Sequence, residues 1–412
     1  MNRRIFLGVC AAAAAAGGAA WRLWPDQGLV NPCRASLPPE LANHELVAAA
    51  WDGIDAAKTW DCHVHLVGTG DSGGGIWINP DMESPLHPLQ FAQRVFFLNA
   101  GCVHEAKGEA DQSYLERMHN LVDGMRRGHK LLVYAFDAHY TESGRIDWER
   151  TAFHVPNDYA ARVARRHPEY FEWAASIHPY NPDCVSVLET AVKTGARAVK
   201  WLPSAQGIDP ASPLCDRFYE ALAGHGIPLI SHAGEERAVQ GADRQELGNP
   251  LRLRRALEQG VRVVVAHCAS RGEDRDLDRG ENGPLVESFA LFGRMMEEHR
   301  FEGRLFGDIA AMTQQNRAGA ALARVIERTD WHPRLLNGSD YPLPGVMPLY
   351  SVDYMVSQGY IPRDAAATLS EIRRHNPLLF DFVLKRHLRS NGKRFAVSVF
   401  ETRDFFLKRP SS

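Results

Sequence analysis

The sequence predicts an α/β protein built as a (β/α)8 TIM barrel with an N-terminal extension and C-terminal helices. From residue 113 onward, amphipathic helices alternate with short apolar strands, the pattern of a parallel sheet with helical crossovers. Counting the strand before that region, the runs number eight, the closure number of such a barrel. In Asp61-Cys62-His63-Val64-His65, strand alternation turns both imidazoles to one face and Val64 into the layer behind. An open doubly wound sheet is the alternative arrangement for repeats of this kind.

A chain of 412 residues has room for one such barrel, about 250 residues, with additions at both ends. Apolar residues at 45% and charged residues at 24% are ordinary for a globular protein and do not indicate disorder. Lys and Arg total 47 against 50 Asp and Glu, so the net charge of −3 gives no ground for nucleic acid or an anionic membrane as partner. Residues 1–24 read as a twin-arginine-type signal or anchor, with Arg3-Arg4 ahead of an apolar run at 5–20 that is short for a membrane span. The expectation is a periplasmic or exported protein handled by the Tat export machinery, free after cleavage or held by an uncleaved signal. Six cysteines follow without a Cys-x-x-Cys pair, which argues against zinc-finger and thioredoxin chemistry. Cys33 and Cys102 lie outside the repeating core and can pair in an oxidising compartment. Cys62 and Cys268 sit in strands beside histidines, where a small buried apolar role is expected.

In chain order, 25–58 is an irregular extension with a short helix at 44–51. Strand one spans 59–67, and 68–88, rich in Gly, Pro, Asp and Ser, reads as a long loop, either a substrate lid or a plain insertion. Helix and strand then follow in pairs: 114–126 with 130–136, 156–166 with 171–177, 183–194 with 197–201, and 213–225 with 227–232. The series continues as 250–259 with 261–267, 284–300 with 304–308, and 317–328 with 334–340. Helices at 346–358 and 363–374 and one opening at Asn376 complete the barrel region, 59–385. The tail, 386–412, holds a strand-like stretch at 395–400 with no assigned place.

His63, His65, Lys200, His232, His267 and Asp340 all fall at or near the carboxyl ends of strands one, four, five, six and eight. A barrel brings those ends to a single mouth, so the six become neighbours. Each alone has an ordinary structural reading; the coincidence of all six at one face points to a metal centre.

The stretches WDCHVH at 60–65, AVKWLPS at 198–204, IPLISHAG at 227–234, VVVAH at 263–267, LNGSDYP at 336–342 and HNPLLF at 375–380 resemble the amidohydrolase superfamily, in its amidohydrolase-related branch. The resemblance implies that His63 and His65 bind the more buried metal with Asp340, while His232 and His267 face a second ion or the substrate. In dinuclear members the strand-four lysine, here Lys200, is carbamylated and bridges two metals. In mononuclear members the strand-five histidine, His232, completes the site and the strand-six histidine, His267, orients water. The branch favours one ion.

Nitrogen and oxygen ligands suit a divalent metal, zinc above all. With Asp340 as proton carrier, the expected activity is hydrolysis of a C–N or C–O bond of a small molecule, in an amide, lactone or ester. Relatives with the same ligands are non-oxidative decarboxylases of aromatic or unsaturated acids, and that alternative stands beside the first. A third is an exported, non-catalytic binding protein, against which the proton carrier Asp340 speaks. Asp308 is either an orienting residue behind a ligand or a structural aspartate. His139, His154, His178, Glu235, Glu236 and Arg237 are candidate substrate contacts. The partners implied are a small-molecule substrate, the export machinery and at most further copies of the chain in a homo-oligomer.

Overall fold

The computed structural model describes residues 27–34, 36–103, 108–239 and 244–408; the expected export signal lies outside them. Eight short strands make the barrel: β1 (Trp60–His65), β2 (Lys130–Tyr134), β3 (Phe171–Ala174), β4 (Val199–Trp201), β5 (Leu229–His232), β6 (Val263–Ala266), β7 (Leu305–Asp308) and β8 (Leu335–Leu336). They form two parallel arcs, β1-β2-β3 and β4 to β8. Backbone hydrogen bonds join the arcs at both seams. Lys200 N donates to Ala175 O at 2.7 Å between β3 and β4, and Cys62 N donates to Asn337 O at 3.0 Å between β1 and the end of β8. The ring of eight closes as the sequence predicts.

Trp60, Cys62, Leu132, Tyr134, Ala174, Ala198, Ile230, Val264 and Leu336 fill the barrel interior, with one or two residues from nearly every strand. Interior packing of this kind makes the barrel a solid core rather than a pore. Helix α1 (Pro88–Ala100) lies at the barrel mouth; the helices that cover the outside with their apolar faces include α2 (Ala110–Asp123), α3 (Asn157–Arg166), α4 (Cys184–Lys193) and α5 (Asp216–His225). In α3 the buried set Tyr159, Ala160, Ala161, Val163 and Ala164 sits opposite an arginine-bearing last turn. Further on come α6 (Arg254–Glu258), α7 (Ser288–Met296), α8 (Ala320–Glu327), α9 (Ala365–His375) and α10 (Pro377–His387).

Two features depart from the sequence expectation. The 68–88 stretch is not one loop: Trp77–Ile78 pairs antiparallel with Phe153–His154, and α1 follows directly, lying over the barrel mouth. The strand-like run at 395–400 forms a single 3-10 turn, Val397–Val399, because a closed barrel offers no free edge for another strand. Val399 O instead accepts from Asn337 N at 2.8 Å. The tail then closes the barrel floor. Phe406 stacks on Trp60 at 6.1 Å, Phe405 packs on Phe306, and Trp60 N donates to Thr402 Oγ1 at 3.2 Å. Cys33 and Cys102 form a disulfide, Cα to Cα 5.6 Å, that ties the N-terminal extension to the segment after α1.

Asn376 caps α10 by accepting from Leu379 N at 2.9 Å and donates to Leu121 O at 2.7 Å. Replacing Asn376 by Ala removes the cap and a buried donor together. We expect a loss of about 1–2 kcal/mol, read as a lower denaturant midpoint at unchanged slope.

Candidate metal centre

The two histidines of β1 reach the mouth through a break in the strand. Asp61 pairs with Leu131 and Val64 with Val133, so Cys62 and His63 together oppose the single residue Leu132. This bulge lets Cys62 stay in the barrel interior while His63 and His65 turn into the mouth, with Val64 packed behind. Asp61 supports the break: its Oδ1 accepts from His63 N at 3.1 Å and from Ser339 N at 2.8 Å. Gly338 completes it, because a Cβ there would lie 2.6 Å from the Cβ of His63.

Asp308, the last residue of β7, holds the histidines in place from behind. Its Oδ2 takes the Nδ1 proton of His63 at 2.9 Å, and its Oδ1 accepts from the backbone N of His267 at 2.8 Å and of Ala310 at 3.0 Å. The Nδ1 of His267 donates to Ala310 O at 2.9 Å. Both rings therefore carry their proton on Nδ1 and present a bare Nε2 to the mouth. Asp340 faces these nitrogens, with Oδ1 3.5 Å from His63 Nε2 and 3.2 Å from His65 Nε2, and Oδ2 3.7 Å from His267 Nε2. His63, His267 and Asp340 each bring one ligand atom within 4.8 Å of the others. His267 and Asp340 both take left-handed backbone, φ 54° and 62°, which is how residues just past strand ends can aim inward.

Electrostatics suits a cation. Burial lowers the pKa of His63, with Lys200 nearby adding to the effect, and burial with Arg317 brings His267 to about 3. Both imidazoles are therefore neutral at pH 7, the form that binds metal. Burial works against charge on Asp340, but the surrounding imidazoles outweigh it and hold the carboxyl well below its usual range. Two bare imidazole nitrogens and a carboxylate oxygen that converge without a proton between them fit a divalent ion.

The remaining predicted residues gather around this nucleus. Lys200 is fully buried, with Nζ 3.2 Å from His63 Nε2 and over the Tyr134 ring at 5.3 Å. His232 lies beside His267, ring centroids 5.3 Å apart; its Nδ1 is 3.5 Å from Glu236 Oε2, and its buried Nε2 has no partner among the described residues. Glu236 and Arg237 line the cavity above the centre, whereas Glu235 turns aside to pair with Arg237 and Arg271. His139, His154 and His178 do not line it. His139 and His178 are bonded to the carbonyls of Ala205 and Gln206, and His154 lies 4.0 Å from Asp137. Sequence reasoning missed Arg317 and Gln314, which line the cavity from the turn after β7, and the α1 side chains that roof it. The one sequence signal for α1 is Pro88 ahead of apolar residues at helical spacing, Leu89, Ala92 and Phe96.

A barrel carrying this arrangement at the carboxyl ends of its strands is an enzyme scaffold of the metal-dependent class. The amidohydrolase family model matches residues 60–378, and the chain belongs to that family. Among solved structures it is similar to an uncharacterised TIM-barrel protein from Bordetella bronchiseptica, at 16% identity over 75% of this chain and 94% of that one, TM-score 0.46. It is similar also to a probable 2-pyrone-4,6-dicarboxylic acid hydrolase from Acinetobacter baumannii (12% identity, 77% and 92% covered, TM-score 0.40). A 2,6-dihydroxybenzoate decarboxylase stands at 12% identity, 78% and 98% covered, TM-score 0.41. No curated protein matches the chain.

Asp308→Asn keeps the shape but offers His63 Nδ1 a donor in place of an acceptor. Cation affinity should fall about 10–100-fold, measured by competition with a chromophoric chelator. Gly338→Ala drives a methyl into His63 and should cost about 1–3 kcal/mol, measured by chemical denaturation.

Proposed function

We propose that the protein is an exported, zinc-dependent hydrolase that binds one ion and cleaves a C–N or C–O bond of a small molecule. The observation that carries this reading is the pair of Nδ1-protonated imidazoles whose Nε2 atoms converge on a buried carboxylate. His63, His267 and Asp340 would hold the cation, with His65 and His232 adjoining. A divalent ion supplies Lewis acidity toward a carbonyl oxygen and makes water a better nucleophile near neutral pH.

The chain's own groups do the rest. Asp340, ionised and within hydrogen-bond reach of His65, accepts the proton of the attacking water and delivers it to the departing nitrogen or oxygen. The unpartnered Nε2 of His232 is available to a water or substrate atom at the same mouth. Lys200, whose Nζ lies 3.2 Å from His63 Nε2, would place a positive charge or a hydrogen-bond donor beside the developing negative oxygen. The disulfide between Cys33 and Cys102 supports export, since such bonds persist in oxidising compartments.

Elemental analysis of protein purified without chelator should give about one ion per chain, unchanged by Lys200→Ala. Two ions, with one lost on that substitution, would replace the mononuclear reading by a carbamate-bridged pair. Asp340→Asn should lower turnover of a responsive ester, lactone or amide by about 10²–10⁴-fold. Release of CO2 from an aromatic or unsaturated acid, with no hydrolysis of any acyl substrate, would transfer the site to decarboxylation.

A further inference from the structure

The cavity above the metal centre holds about 380 Å³, in the range that encloses a small organic ligand. Its floor is polar and much of its wall is apolar. Phe96 and Phe97 of α1, Phe136, Phe153 and Leu349 of the barrel rim, and Ile76 of the preceding segment face one another across it. Leu89, on the same face of α1, lines the cavity and is also 67% exposed, so the apolar wall continues to the outside.

Four arginines line the cavity, and three of them have acidic partners. Arg94 lies 3.8 Å from Glu83, Arg237 2.5 Å from Glu235 and Arg271 2.8 Å from Glu235. Arg317 differs: among the described residues it makes no ion pair within 4 Å, its Nη1 reaches only Ser270 Oγ at 3.4 Å, and its buried Nε has no partner. A guanidinium stays charged at any physiological pH and presents a fork suited to a carboxylate, sulfonate or phosphate. Of the two carboxylates whose charge acts on it, Glu236 accepts from the backbone N of Ala238 and of Val239, and Asp340 accepts from His65.

From this division we infer that the substrate is an amphiphilic acyl compound, with a hydrocarbon body under α1 and a single anionic group, held by Arg317, close to the reacting carbonyl. The inference rests on the hydrolase reading for its reaction and on the cavity alone for its binding. For an N-acyl amino acid the balance is simple. Water oxygen bonds to the acyl carbon, the C–N bond breaks, and the proton taken by Asp340 goes to the departing amine; nothing is oxidised or reduced. A substrate with several charges is disfavoured, because the other three arginines already face acidic partners.

Binding is tested on the metal-loaded protein with straight-chain alkylsulfonates of four to ten carbons, followed by calorimetry, with alkanols of equal length as neutral controls. Affinity should rise about fourfold per methylene until the cavity is full. Phe97→Ser should flatten that rise. Arg317→Met should weaken sulfonates at least tenfold while leaving alkanols unchanged and metal content intact. Absence of a chain-length trend, tighter binding of citrate than of octylsulfonate, or an anion affinity indifferent to Arg317→Met would each overturn the inference. Turnover of N-octanoylglycine against N-acetylglycine is the separate arm. Preferential hydrolysis of the longer compound supports both readings, whereas the binding trend without any hydrolysis upholds the ligand class and removes the hydrolase reading.

Discussion

Everything at the mouth of this barrel depends on one buried carboxylate. Asp308 is wholly enclosed, where an isolated charge is expensive. It stays ionised because three N–H groups from His63, His267 and Ala310 point at it. Burial opposes its charge, yet the His63 imidazole and its hydrogen bond overcome that penalty and hold the carboxyl below its usual range. In return Asp308 sets the tautomer of one imidazole and the backbone position of another. It ties β1, the turn after β6 and the turn after β7 into a single unit. A neutral side chain of the same shape would satisfy fewer of these donors and leave the His63 ring free to turn.

The second constraint is backbone conformation. Strict alternation would make consecutive mouth residues point in opposite directions, so the site needs breaks at the strand ends. The chain supplies them in two ways. A bulge spends one extra residue in β1, and four non-glycine residues, His267, Cys268, Ala269 and Asp340, adopt left-handed φ values between 50° and 62°. Each such residue costs about 1–2 kcal/mol, so the surroundings must determine the conformation. They do so through Asp340 N donating to His63 O at 2.8 Å and Cys268 Sγ to Asp308 O at 3.2 Å. The cysteine read from sequence as a small buried side chain is therefore also part of the turn that aims His267. Strain of this kind gathers where geometry matters more than stability.

Periodicity made the barrel legible, since each crossover repeats the same helix-then-strand alternation and the mouth residues recur at its end. His63, Lys200, His232, His267 and Asp340 could be placed at one face for that reason alone. The resemblance pairs His63 and His65 with Asp340; in the structure His63, His267 and Asp340 bring ligand atoms within 4.8 Å of one another, and His65 Nε2 lies 3.2 Å from Asp340 Oδ1. Left-handed turns and a one-residue bulge leave no periodic trace, and the aspartate behind the ligands reads like any other strand-end acid. Nor could α1 be seen as a roof. Its apolar residues face a cavity rather than a core, so the segment lacks the clean two-sided pattern that marks the barrel helices. The tail was opaque for a different cause: 395–400 has strand composition, and only closure of the barrel shows that no edge remains for it.

The charges explain why the roof matters. Lys200 and Arg317 are the cations nearest the centre, and burial lowers the pKa of both; Asp308, Asp340 and Glu236 oppose that shift at Lys200, and Glu236 and Asp340 at Arg317. Burial also pushes the Glu236 carboxyl up, with the backbone N–H of Ala238 working against it. In water these opposing fields would largely cancel through screening; under a hydrocarbon wall they do not. Coulomb forces at the mouth thus act more strongly than in water on anything that enters. A ligand that excludes the remaining water on binding strengthens every electrostatic interaction beneath it. The apolar cavity and the buried polar cluster are for this reason one device, since a ligand that fills the first excludes water from the second.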